Sequence, residues 1–188
     1  MRILCYGDSN TYGFDPRSYL AGRYSPGERW PELLGTLTGY EVINAGLNGR
    51  EIPHTTAQIR DAQALLQHYA PDLTVVMLGS NDLLQGIGVE EIRCRMAQFL
   101  TSVSPYAGNV LLAAPPMKRG AWVPENALVE AAILLRDAYR QLAQEKNILF
   151  ADGLLWQIGL AFDGVHFTQE GHQTFARQLQ QLLNEQCP

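Results

Sequence analysis

Three side chains widely separated along the chain have the types needed for an activated hydroxyl nucleophile. Ser9 lies in Cys5-Tyr6-Gly7-Asp8-Ser9-Asn10-Thr11-Tyr12-Gly13, where an apolar N-terminal strand would end on a glycine-bearing turn. Near the other end stands Asp163-Gly164-Val165-His166. A serine hydroxyl is a weak nucleophile at its own pKa and needs a base within hydrogen-bond reach. Histidine can be that base, and a carboxylate orients the ring and stabilises the imidazolium. These roles fall to Ser9, His166 and Asp163. Between them, Gly79-Ser80-Asn81-Asp82 follows the apolar run 73–78 and offers the Asn81 amide. Asn44-Ala45-Gly46-Leu47-Asn48-Gly49-Arg50 offers the backbone N–H of Gly46. With the Ser9 N–H, these are the donors that an acyl-transfer site aims at a developing oxyanion.

Taken singly, each motif has a bland reading, because Gly, Asp, Asn and Ser are ordinary turn residues. Their order after successive strands is what turn chemistry does not explain. Asp8 and Asp82, and with them Asn10 and Asn48, are read as loop-building residues that bond nearby backbone. His54, His68 and His172 are read as surface or packing residues. His172 is the rival base, but Gln169 stands three positions before it, where His166 has Asp163.

At Ser9, Gly46, Asn81 and His166 the chain resembles the SGNH (GDSL-type) hydrolases, named for a serine, a glycine, an asparagine and a histidine in four sequence blocks. The resemblance spans essentially the whole chain. Gly-Asp-Ser-Asn-Thr-Tyr-Gly-Phe, Glu28-Arg29-Trp30 and Gly46-Leu47-Asn48-Gly49-Arg50 look most like the small arylesterase and acyltransferase branch. Ala45 and Glu51 depart from it, standing where that branch often has an acidic residue and a threonine.

The elements that must position these residues are legible from periodicity. Strand-length apolar runs occur at 2–6, 41–44, 73–78, 109–114 and 147–151. Helical spacing occurs at 55–69, 89–103 and 125–146, and a last helix starts after Thr168 as N-cap, burying Phe175, Leu179 and Leu182. Alternating strands and helices predict parallel strands with right-handed crossovers, hence a three-layer α/β/α sandwich in one domain spanning 1–188. The resemblance implies a flavodoxin-like five-stranded sheet in the order 2-1-3-4-5. In such sheets ligands bind beyond the carboxyl ends of the strands, where the strand order reverses. Ser9, Gly46 and Asn81 each follow a strand on that edge.

Composition narrows the partners. The chain has 188 residues, 46% of them hydrophobic, and a formal net charge of −5, with no cluster of Lys and Arg of the kind that binds nucleic acid. No apolar run approaches the ~20 residues that span a bilayer, and no signal-type segment is evident, so a cytoplasmic protein with a small neutral partner is expected. Cys5, Cys94 and Cys187 are too scattered for a disulfide framework or a zinc site. Neither metal nor organic cofactor is called for by the chemistry of serine, histidine and amide donors.

The expected reaction is hydrolysis of short-chain esters, acetyl above all, through an acyl-enzyme. An acyltransferase or thioesterase using the same residues is the first alternative. A flavodoxin-like module cradling a phosphate on the Gly-Asp-Ser-Asn-Thr loop is the second. Tyr12, Phe14, Leu47, Met117, Trp122 and Val165 are the candidate walls of the acyl pocket, with Tyr24, Trp30 and Phe167 nearby. In members resembling this chain, oligomer contacts can narrow the entrance; the sequence leaves homo-oligomer formation open.

Overall fold

The computed structural model describes residues 1–18 and 22–186; the expectation for Cys187 falls outside them. Five strands form one parallel sheet in the order β2-β1-β3-β4-β5: β1 (Arg2–Gly7), β2 (Glu41–Gly46), β3 (Leu73–Met77), β4 (Asn109–Ala114) and β5 (Leu149–Asp152). The helices are α1 (Ser9–Tyr12), α2 (Trp30–Thr38), α3 (Thr56–Tyr69), α4 (Ser80–Leu84), α5 (Val89–Val103), α6 (Asn126–Lys146) and α7 (Gln169–Gln186). This is the three-layer α/β/α arrangement that the alternation predicts.

Period-2 alternation along β1 divides the core. Leu4 and Tyr6 join Leu66 of α3, Phe99 of α5 and Leu135 of α6 in one apolar cluster. Ile3 and Cys5 join Trp30 and Leu34 of α2 and Phe175 and Leu179 of α7 in the other. Both faces of the central strands are therefore dry, which is why β3 is buried at all five positions and reads as a continuous apolar run.

Element ends follow cap chemistry. Thr55 caps α3 in a reciprocal box: its Oγ1 accepts the Gln58 N–H at 3.3 Å, and Gln58 Oε1 accepts the Thr55 N–H at 3.0 Å. The Thr168 hydroxyl accepts the Gly171 N–H at 3.0 Å at the start of α7. The last helix buries Leu183 where the sequence reading chose Leu182, which is half-buried. The fifth strand starts at Leu149, later than the expected 147, because Asn147 is the left-handed cap of α6 with φ 51°.

Candidate active site

The sheet order reverses at β1, which lies between β2 and β3, and the predicted site residues gather at the carboxyl ends of these strands. The chain turns from β1 straight into α1, whose first residue is Ser9. Asp8 caps that turn, its Oδ1 accepting the Asn10 N–H at 2.9 Å. Gly46 ends β2 so close to this turn that a Cβ on it would lie 2.0 Å from Tyr12 N. Only a glycine allows the two backbones to approach in this way.

His166 reaches the same place from the loop between β5 and α7. Gly164, at φ +84°, turns that loop, and Asp163 Oδ1 accepts the N–H groups of Val165 and His166, both at 2.9 Å. The other carboxylate oxygen of Asp163 accepts from His166 Nδ1 at 2.8 Å. His166 Nε2 then faces Ser9 Oγ at 3.0 Å. A ring that donates through Nδ1 carries its lone pair on Nε2, the arrangement in which it can take the serine proton. All three side chains are buried, at 7% exposure for Ser9, 3% for His166 and 1% for Asp163. Burial pushes the Asp163 carboxyl up, but the hydrogen bonds from the His166 ring and from the two backbone N–H groups outweigh it and hold the carboxyl below its ordinary value.

Asn81, on α4 after β3, lines the same pocket; its Nδ2 donates one bond to Arg50 O at 3.0 Å. Arg50 is itself anchored, its guanidinium donating to Gly7 O and Ala45 O and lying 4.2 Å from the centre of the Tyr6 ring. Gly46 requires a correction. Its N–H donates to Asn44 Oδ1 at 3.0 Å, so the donor expected to meet the oxyanion is already engaged. The residues of this loop that border the Ser9 pocket are Asn48 and Gly49, and the N–H of Gly49 meets no partner among the described residues.

The pocket at Ser9 holds about 170 Å³ and is lined by Phe14, Asn48, Gly49, Asn81, Leu84, Trp122, Val165 and His166. Phe14 and Trp122 pack on the His166 ring, with centroids 4.6 and 5.0 Å away. Of the six candidate walls, Phe14, Trp122 and Val165 line it, and Tyr12, Leu47 and Met117 do not. The Tyr12 ring is covered by the Arg23 guanidinium at 4.1 Å. Met117 is buried in the core. Leu47 borders a neighbouring cavity of about 290 Å³. Trp30 and Phe167 are core residues, and Tyr24 packs edge-on against His172. Sequence reasoning missed Leu84, Asn48 and Gly49 as lining residues. The Asn48-Gly49 pair is a turn signal that would have marked the last two.

His172 is fully buried, with Nδ1 accepting the Trp30 N–H at 3.4 Å. Burial, then the charges of Arg29 and His166, lowers its pKa to about 3. His54 is exposed with Nδ1 on Ile52 O, and His68 packs on Tyr69. Asp82 is a loop-building residue, its Oδ2 accepting the Ile52 N–H at 3.1 Å. Among the described residues, no three His, Cys, Asp or Glu side chains gather to hold a metal ion, and no helix is long and apolar enough to cross a membrane.

Comparison with known proteins places this geometry in a family. A model of the GDSL-like lipase/acylhydrolase family matches residues 5–174. A carbohydrate acetylesterase family member from Sinorhizobium meliloti superposes with a TM-score of 0.85 at 28% identity, over 98% of this chain and 97% of that one. The aryl esterase of M. smegmatis superposes at 0.84 with 25% identity, over 98% of both chains. The thioesterase 1/protease 1/lysophospholipase L1 of Escherichia coli is 26% identical over 193 aligned positions, 97% of this chain and 85% of the relative. The chain belongs to the GDSL-like lipase/acylhydrolase family and, as a member of it, is a carboxylic ester hydrolase.

Proposed function

We propose that this protein hydrolyses short-chain esters, acetyl esters foremost, through a Ser9-His166-Asp163 triad and an acyl-enzyme on Ser9. The observation that carries the reading is an unbroken relay. Asp163 Oδ2 lies 2.8 Å from His166 Nδ1, and His166 Nε2 lies 3.0 Å from Ser9 Oγ. The relay opens onto a cavity of about 170 Å³, small beside the ~300–1,000 Å³ of sites for drug-sized ligands, and that volume favours a short acyl group.

In the first half-reaction Ser9 Oγ attacks the ester carbonyl while its proton passes to His166 Nε2. The tetrahedral oxyanion is met by the N–H groups of Ser9 and Gly49 and the second amide hydrogen of Asn81. Collapse breaks the bond to the alcohol, which leaves with the proton from His166, and the acyl group stays on Ser9. Water then attacks the acyl-enzyme, His166 takes its proton and returns it to Ser9, and the carboxylic acid departs. Asp163, held below its ordinary pKa, stays ionised throughout and stabilises the imidazolium at each stage.

Hydrolysis of p-nitrophenyl acetate, with loss of turnover on labelling by a serine-directed phosphonate, tests the reading. The label is expected on Ser9, and labelling elsewhere would overturn it. Acetylated sugars and an acyl-CoA belong in the same panel. The names of the S. meliloti and E. coli proteins point to an acetylated carbohydrate and to a thioester, respectively.

A further inference from the structure

The turn carrying the nucleophile, residues 8–13, is tied to the loop carrying the base by one side chain besides Ser9. Asn10 is 1% exposed and spans a sequence separation of more than 150 residues. Its Nδ2 donates to Val165 O at 3.0 Å, and its Oδ1 accepts the Phe167 N–H at 2.8 Å. Val165 and Phe167 are the immediate neighbours of His166, so one amide grips the backbone on both sides of the base. The His166 backbone itself is held from within its own loop, and that loop is also stitched to the segment after β4 by bonds from Lys118 N to Gly164 O and from Trp122 N to Asp163 O. The His166 N–H goes to Asp163 Oδ1 at 2.9 Å, and the His166 carbonyl accepts from Ala161 N at 2.8 Å. None of those bonds reaches the turn that carries Ser9, as the two from Asn10 do.

Resting on the esterase reading, we infer that Asn10 is a positioning residue that sets the distance between Ser9 Oγ and His166 Nε2. Its own backbone is fixed by Asp8, one residue before the nucleophile, so Asp8, Ser9 and Asn10 form a rigid unit from which the base loop is hung. An amide is required because the two groups it meets are opposite in kind: a carbonyl needing a donor and an N–H needing an acceptor, spaced for the two arms of one planar group. A carboxylate has no donor, and a hydroxyl, which both donates and accepts, does so from one oxygen and has no second arm with which to span the two groups. The contact serves proton transfer, which falls steeply when the donor–acceptor distance opens by an ångström.

Two variants test the assignment. Asn10→Ala removes both bonds. Asn10→Asp keeps the shape and the acceptor for the Phe167 N–H but sets an oxygen against Val165 O. Both are assayed on p-nitrophenyl acetate well below their melting midpoints, beside Leu100→Ala. That control deletes core packing at the 3%-exposed Leu100 of α5, remote from the site. The expected result is a fall in kcat of about ten- to a hundredfold for both Asn10 variants with KM little changed, while Leu100→Ala loses stability and keeps kcat. Folded Asn10 variants with the parent's kcat would overturn the assignment, as would a loss of kcat in Leu100→Ala matching theirs. A parent protein that turns over no ester would overturn the esterase reading itself and this assignment with it.

Discussion

His166 and His172 are both buried, yet their surroundings give them opposite capacities. His166 donates to a carboxylate through Nδ1 and presents Nε2 to Ser9 Oγ. His172 spends Nδ1 on the Trp30 N–H, and its Nε2 meets no partner. Held at a pKa of about 3, it stays neutral at any pH where an esterase works, and its Nε2 has no hydrogen-bond partner among the described residues. His166→Ala is therefore expected to cost on the order of 10⁴ or more in kcat. His172→Ala should leave kcat within a few-fold and lower stability by about 1–3 kcal/mol, read by urea unfolding. Asn81→Ala should slow turnover by about 10²–10³ with KM little changed, since in the proposed mechanism its amide meets charge that exists only in the transition state. Undiminished turnover in that variant would remove Asn81 from the site. The three relay side chains were legible in the sequence because residue type and spacing are themselves the chemistry. The free glycine N–H was not: Gly46 ends β2 and Gly49 lies just after it, and which N–H is free depends on Asn44 turning back to cap one of them.

At the scale of elements, the pocket at Ser9 draws apolar walls from four separate segments. Phe14 follows α1, Leu84 ends α4, Trp122 lies in the loop after β4, and Val165 adjoins the base. The loop after β4 is stitched to the base loop by bonds from Lys118 N to Gly164 O at 3.0 Å and from Trp122 N to Asp163 O at 2.9 Å. Trp122 is thus a fixed wall, although its side chain is half in solvent. Trp122→Ala and Leu84→Ala should each open the pocket toward longer acyl chains. The ratio of kcat/KM for p-nitrophenyl butyrate over acetate is expected to rise by about tenfold, since a methylene in such a pocket is worth ~1–3 kcal/mol. An unchanged ratio would place the acyl group elsewhere. Strands and helices were legible here because the core has a clean period. β1 alternates between two apolar clusters, and α5 buries Ile92, Met96, Phe99, Leu100 and Val103 on one face. Pocket walls have no period. Met117 and Phe14 look equally suited in the sequence, and only the loop paths send one into the core and the other onto His166.

For the molecule as a whole, several buried groups bear on how folding responds to acid, and two of them, His172 and Asp8, act in opposite directions. His172 titrates near 6.5 in the unfolded chain and at about 3 when folded. Between those values the unfolded state binds a proton that the native state refuses, so stability falls as pH falls. Asp8 does the reverse. Burial raises its carboxyl to about 6, against the pull of its Asn10 N–H bond, while the unfolded value is 3.8. The native state then binds the extra proton, and stability is gained as pH falls from 6 towards 4. Over that window the two effects oppose each other. Below it Asp8 no longer distinguishes the states, and the lowered Asp163 joins His172 in favouring unfolding. Replacing His172 by Asn removes one side of the balance. The variant starts less stable at neutral pH because it gives up the ring packing on Tyr24 and Phe167. Its deficit should then shrink by up to about 1.4 kcal/mol for each pH unit between 6 and 4, as the gain from Asp8 goes unopposed. Urea unfolding of parent and variant at several pH values and constant ionic strength measures that gap. A gap that stays constant would mean that His172 carries the same charge folded and unfolded, and that its burial does not govern the acid limit of this fold.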